Sequence, residues 1–245
     1  MIKELEDYNW FPKIFRRFQM EYIGSVIKWV HFYQPLVPVF KILLKENNTN
    51  TIHDLCSGSG LPAVYIQEQM GDEYKTILTD RFPESSFVNT DLVNYLKEES
   101  DVMKLLPGQG KCYTMYNAFH HFNHQQQQQI ILKLQTANAP FVFAEILEPD
   151  IYTLIKIILT TTIVQLITAP LVHPFSLLRL LFTYIIPVNL FTVTYDGIIS
   201  VIRSKSVKQY EKLLQEMVNN RYQLSVHRYS GWKGTVICIT GNPKK

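Results

Sequence analysis

The sequence predicts an α/β fold in which a mostly parallel sheet of seven strands carries helices on both faces. Three observations predict it. Short β-branched or aromatic runs alternate with amphipathic stretches from residue 51 to the C-terminus. The first run, T-I-H-D-L at residues 51–55, leads into a glycine-rich turn, C-S-G-S-G. The second, T-I-L-T at residues 76–79, ends on an acid, Asp80, twenty residues beyond Gly60.

Asp54, Cys56, Gly58 and Gly60 space as D-x-C-x-G-x-G. Glycine lets a chain turn sharply and brings backbone against a ligand where a Cβ would collide. The same turn aims free N–H groups and a helix N-terminus at whatever lies above it. An acid at the end of the second strand of such a unit can accept both hydroxyls of a ribose. Counted from Cys56, the dinucleotide pattern G-x-G-x-x-G fails, because Cys56 and Leu61 stand where its first and third glycines belong. This argues against an NAD or nucleotide-sugar enzyme.

Together these motifs resemble the S-adenosylmethionine (SAM) methyltransferases of the Rossmann-like, class I type. The resemblance covers residues 51–149 and 207–245 and implies a Rossmann-like seven-stranded sheet with SAM as cofactor. It implies that the Cys56–Gly58–Gly60 loop serves the methionine end and that Asp80, with Arg81 beside it, serves the ribose. Asp101 and the backbone of Val102, in E-S-D-V-M-K-L-L, are then the adenine element. Asn117, after the fourth strand, borders the same site. Cys56 departs from the pattern, since many relatives carry glycine there.

The other elements follow in order. Residues 63–69 predict a helix stopped by Gly71, and residues 82–96 a loop and then a helix. The seventh strand is sought around residues 96–100. K-C-Y-T-M-Y at 111–116 is a strand that opens into N-A-F-H-H-F-N. Asn123 and Gln126 form a capping box for the helix that follows. P-F-V-F-A-E-I, from Pro140, is the fifth strand and ends at Glu145. Residues 207–220 predict an amphipathic helix, and residues 222–229 and 235–240 the last two strands around an S-G-W-K-G turn.

Two regions lie outside this core, giving segments 1–50, 51–149, 150–206 and 207–245. Residues 11–45 read as an aromatic helical cap, with Pro12 in a first helical turn and a second helical segment at 25–32. The cap is also a candidate lid, with Trp10, Phe11, Arg16 and Tyr22 toward the acceptor. Residues 150–206 are an apolar insertion with no charged residue from Ile157 to Leu178. Pro170, Pro174 and Pro187 break it into pieces that suit buried or interfacial helices better than a clean span. A lid, a membrane-surface contact and a transmembrane hairpin all remain open. An early W-F-P…R segment and an insertion ending in D-G…R also resemble one subgroup of methyltransferase-like proteins with a roofed site.

The expected chemistry is methyl transfer to a small, lipophilic acceptor. His120 and His121 are candidate general bases, because imidazole titrates near neutrality. Asp196 and Arg203, charges in an apolar setting, pair with each other, cap a helix or face the acceptor. Glu145 is a further substrate-side candidate by position. No metal is expected, since no acid or cysteine near the two histidines in sequence completes a site. A net charge of +3 without an arginine-rich run gives no reason to expect nucleic acid. Three cysteines without metal spacing and a polar N-terminus suggest a cytoplasmic protein with free thiols, placed at the inner face of a membrane if the insertion docks there. A non-catalytic scaffold that docks through the insertion is the competing expectation. Oligomeric state is not legible.

Overall fold

The computed structural model describes residues 2–83, 87–231 and 234–244. The turn expected at Trp232 and Lys233 lies outside these residues. Lys13–Val30 (α1) and Val37–Glu46 (α2) precede the first strand, Thr51–Leu55 (β1). Helix α1 runs unbroken where two segments are expected, and Pro12 sits just before it as its N-cap residue. Leu61–Met70 (α3), Lys75–Thr79 (β2), Val93–Tyr95 (β3) and Cys112–Tyr116 (β4) follow. Then come His124–Thr136 (α4) and Phe141–Glu145 (β5).

The insertion contributes Ile151–Leu159 (α5), Gln165–Thr168 (α6), Leu177–Leu180 (α7) and Val188–Arg203 (α8). Wider π-type turns at Thr160–Val164 and Leu181–Ile185 interrupt it. Val207–Gln215 (α9), Tyr222–Gly231 (β6) and Gly234–Pro243 (β7) complete the chain.

The strands form one seven-stranded sheet in the order β3-β2-β1-β4-β5-β7-β6. Strands β1 to β5 pair in parallel, while β7 runs antiparallel to both β5 and β6. β4 and β5 are buried at every residue, as apolar strands covered on both faces must be. One apolar layer contains Phe40, Leu44 and Ile66 from α2 and α3. The other contains Ile130 and Leu134 of α4 and Tyr210 and Leu213 of α9.

The third strand is displaced from the expected position. Val93–Tyr95 lies inside the stretch expected to become helical, and residues 96–100 follow it. Val93 and Tyr95 are buried and Asn94 is exposed, an alternation of period two. Pairing with β2 at Thr76, Ile77 and Leu78 overrides the apolar cluster that reads as a helix face.

Strand order reverses between β1 and β4, which are neighbours although β2 and β3 intervene in sequence. In an open α/β sheet the carboxyl ends of strands at such a switch point border a crevice. Both the glycine loop and N-A-F-H-H-F-N leave the sheet there.

Candidate active site

A cavity of about 890 Å³ opens over the carboxyl ends of β1, β2 and β4. That volume is near the top of the roughly 300–1,000 Å³ range of small-molecule sites. The glycine loop, Asp80, helix α1, the N-terminal acids and the insertion all contribute to its wall.

Three residues of the loop region hold left-handed backbone. Gly58 and Gly60 have φ of 53° and 73°, and Cys56 has φ of 56°. The pattern's usual glycine at position 56 therefore has a conformational reason, and cysteine carries strain of about 1–2 kcal/mol there. A Cβ on Gly60 would lie 2.7 Å from Leu78 Cδ1, and one on Gly58 would lie 2.9 Å from Met20 Sδ. Gly58 also lines the cavity, whereas Gly60 packs against the sheet.

Asp80 ties this loop to the next strand. Its carboxylate accepts the N–H of Gly58 at 2.8 Å and that of Phe82 at 2.7 Å. Burial raises its pKa, against those two hydrogen bonds. Arg81 extends along the rim and donates to Asn9 Oδ1 at 3.1 Å. Asp101, Val102 and Asn117 also line the cavity. Asp101 accepts the N–H of Met103 at 2.9 Å, and Asn117 turns the chain with φ of 52°. Asp54 stays below the loop, buried, with its carboxyl accepting from Thr114 Oγ1 at 2.6 Å.

The histidines separate into different environments. His120 is buried, and Glu145 accepts its Nδ1–H at 2.6 Å and the N–H of Phe119 at 2.7 Å. Burial alone would lower the imidazole's pKa, but Glu145 and Glu4 carry it up to about 10. His120 is therefore an imidazolium at neutral pH instead of a base titrating there, and it does not line the cavity. Glu145 is likewise buried beneath this turn and does not face the acceptor side.

His121 does line the cavity. Its Nδ1 donates to Asp7 Oδ1 at 3.1 Å, and its Nε2 lies 3.6 Å from Glu4 and 3.8 Å from Glu6. Burial opposes the charged form, yet Glu4 and Asp7 raise its pKa overall. Asp196 does not pair with Arg203, and it lies within α8 instead of at its N-cap. It accepts the N–H groups of Leu5 and Glu6 at 2.6 and 3.2 Å and the Gln19 amide at 2.6 Å. Burial brings its pKa up to about 6. Its geometry is that of an anchor that pins the N-terminal segment over the cavity.

Arg203 binds Asp7 at 2.8 Å and Glu4 at 3.3 Å, and donates to the carbonyl of His121. Glu4, His120 and His121 bring potential ligand atoms within 4.8 Å of one another. The acid missing from the local sequence is thus supplied from the N-terminus. Arg203 and the two histidines all set positive charge against Glu4 and Asp7.

Arg16 reaches the cavity, stacks 3.8 Å from the centre of the Phe82 ring and donates to the carbonyls of Glu6 and Tyr8. Tyr22 lines it too and donates to the carbonyl of Thr160 at 2.5 Å, joining α1 to the insertion. Trp10 is 67% exposed and outside the cavity wall, and Phe11 is buried away from it. Sequence reasoning missed Glu4, Glu6, Asp7 and Gln19. The available signal was three acids in four residues, E-L-E-D, two residues before the W-F-P segment.

No family model matches the chain, and no curated protein matches it in sequence. Solved structures do match. The plantazolicin methyltransferase BpumL, crystallised with a desmethylPZN analogue and SAH, aligns over 92% of this chain and 86% of its own, at 10% identity and a TM-score of 0.51. LaPhzM aligns over 88% and 56%, at 12% identity and 0.50. A LepI variant with SAH and a substrate analogue aligns over 84% and 47%, at 14% identity and 0.50. The fold is that of the class I methyltransferases. The chain spans about half the length of LaPhzM and of LepI.

Proposed function

We propose that this chain is a SAM-dependent methyltransferase acting on a small, lipophilic acceptor. One observation carries the reading. A single cavity joins the glycine loop and Asp80 to an apolar chamber walled by Ile23, Val26, Ile157, Val164 and Val193. A nucleoside-sized cofactor on the loop leaves the chamber free for a second molecule.

The residues present fit that cofactor. The carboxylate oxygens of Asp80 keep lone pairs beyond the two N–H bonds they accept, enough for ribose hydroxyls. Gly58 offers a backbone surface without a Cβ, and Asp101 and Val102 border the adenine end. When bound, SAM supplies an activated sulfonium methyl for in-line displacement.

The chain's own residues would align the acceptor, exclude water and take up a proton where the acceptor must lose one. His121 is placed for the last task. Asp7 fixes its Nδ1–H and leaves Nε2 to hold or release a proton at the cavity wall. Because its pKa is raised, the neutral base forms above the ordinary histidine range. Tyr22 and the Arg179–Glu21 ion pair at 2.6 Å hold the insertion against α1 as a roof. A roof of this kind keeps water from the reacting atoms.

Incubation with methyl-labelled SAM and a panel of lipophilic phenols and acids, followed by organic extraction, tests the reading. Extractable label is expected, with a rate that climbs above neutral pH and a climb that disappears in His121→Gln. Bound SAM without transfer to any member would count against the acceptor class, and no SAM binding would overturn the enzyme.

A further inference from the structure

The insertion is built inside out. Its buried side chains include Thr153, Thr161, Gln165, Arg179, Asn189 and Asp196. Its exposed side chains are apolar almost throughout. Of the 29 large hydrophobic residues exposed across the described chain, 20 fall between Ile151 and Ile202. Ile151, Ile167, Leu177, Ile185 and Phe191 are each 69–73% exposed. None of the exposed residues in this stretch is Asp, Glu, Lys or Arg.

Magnitude separates this from ordinary surface apolarity. Burial of a large apolar side chain removes roughly 80 Å² from water. Twenty such chains, about half exposed, present on the order of 1,000 Å² in total, concentrated in 52 residues of the chain, where a typical soluble monomer's largest patch is roughly 300–600 Å². No charge interrupts the exposed face; several cations stand at its margin, with the exposed Asp150 at the start of α5. Lys13 is exposed at the start of α1, whose Phe15 packs edge-on to Phe182. Arg17 pairs with Glu21, the acid that also holds Arg179, and Lys156, which also borders the cavity, lies over the Tyr152 ring. Hydrocarbon bordered by phosphate matches that distribution.

The geometry also fixes the mode of contact. Ile151–Leu171 is a 21-residue apolar helical run of mean hydropathy 1.8, roughly 31 Å long at 1.5 Å per residue. Thr153, Ile157, Thr161 and Gln165 recur every four residues on its protein side, and three of them line the cavity. A helix with one face built against protein along most of its length meets lipid on its other face alone. The second apolar run bends by 80° between Ile185 and Val188 and returns to the core through α8.

We infer that the insertion seats in one leaflet of a lipid bilayer, its apolar face among the acyl chains and Lys13, Arg17 and Lys156 at the level of the phosphates. The helix that walls the cavity is then also the helix that meets lipid. This contact stands on the exposed face alone and does not depend on methyl transfer.

Flotation of the full-length protein with phosphatidylcholine vesicles in 1 M NaCl tests it. The wild type is expected to float, because apolar insertion survives screening of surface charge. The triple variant Ile167→Glu, Leu177→Glu, Phe191→Glu is expected to stay at the bottom with an unchanged circular dichroism spectrum. In case that variant fails to fold, an environment-sensitive dye on Ile167→Cys reports the same contact in an otherwise intact chain. Its emission should shift to the blue with vesicles, while dye on Val218→Cys, a site outside the insertion, should not shift. A wild-type protein that does not float and sediments as a dimer would overturn the proposal and make the face an interface between copies. A folded triple variant that floats as well as the wild type would overturn it too.

Discussion

Asp80 accepts the backbone N–H of Gly58 at 2.8 Å, joining the carboxyl ends of β2 and β1 beside the switch point of the sheet. The acid that ends β2 thereby sets the position of the glycine loop that follows β1. Two motifs twenty residues apart in sequence act as one piece of structure, and the consequences can be measured.

The two glycines of the loop should fail differently when replaced. Gly60→Ala puts a Cβ 2.7 Å from the buried Leu78 side chain at a φ of 73°. Left-handed strain and overpacking together cost about 2–4 kcal/mol, read in a denaturant melt. Gly58→Ala meets only the flexible end of Met20 and should cost about 1–2 kcal/mol. It faces the cavity, however, so its larger effect should be on cofactor affinity.

Asp54 makes stability fall as pH rises. Burial pushes its carboxyl up to about 7 from an ordinary 3.8, so the folded state binds the proton more tightly than the unfolded state. Its contribution is then fully present below about pH 4 and is lost as pH climbs through 7. Relative to Asp54→Asn, the wild type should lose about 4 kcal/mol between pH 4 and pH 8. Chemical denaturation at a series of pH values checks the slope. A constant difference would contradict it.

His120 should matter for folding before it matters for catalysis. With its pKa near 10, its pairing with Glu145 is fully present below pH 6.5 and fades as pH approaches 10. His120→Ala leaves a buried carboxylate without its counter-charge, a loss of about 3–5 kcal/mol. A thermal melt at pH 7 should show it, and the deficit should shrink at pH 10.

Much of the core is legible in sequence because local signals agree there. The Asn123–Gln126 capping box forms as read, and β5 is the buried apolar run its composition implies. β3 is not legible, because Val93 and Tyr95 owe their strand state to β2 and not to their own neighbours in sequence. The site divides in the same way. Gly58, Asp80, Asp101 and Asn117 come from short contiguous motifs and meet in one cavity. Asp196 meets Leu5 and Gln19 across more than 170 residues, a relation that no spacing rule encodes. The inside-out polarity of the insertion is also hidden, since a helical wheel shows two faces without saying which one is covered.

The most direct test of the central claim is calorimetric titration of the folded protein with SAM, set beside Asp80→Asn. Asparagine can accept one of the two N–H bonds but not both, and it brings no charge to the ribose. Saturable binding at one site is expected of the wild type, and at least tenfold weaker binding of the variant. No heat of binding by a folded wild type, or equal affinity in the variant, would contradict it.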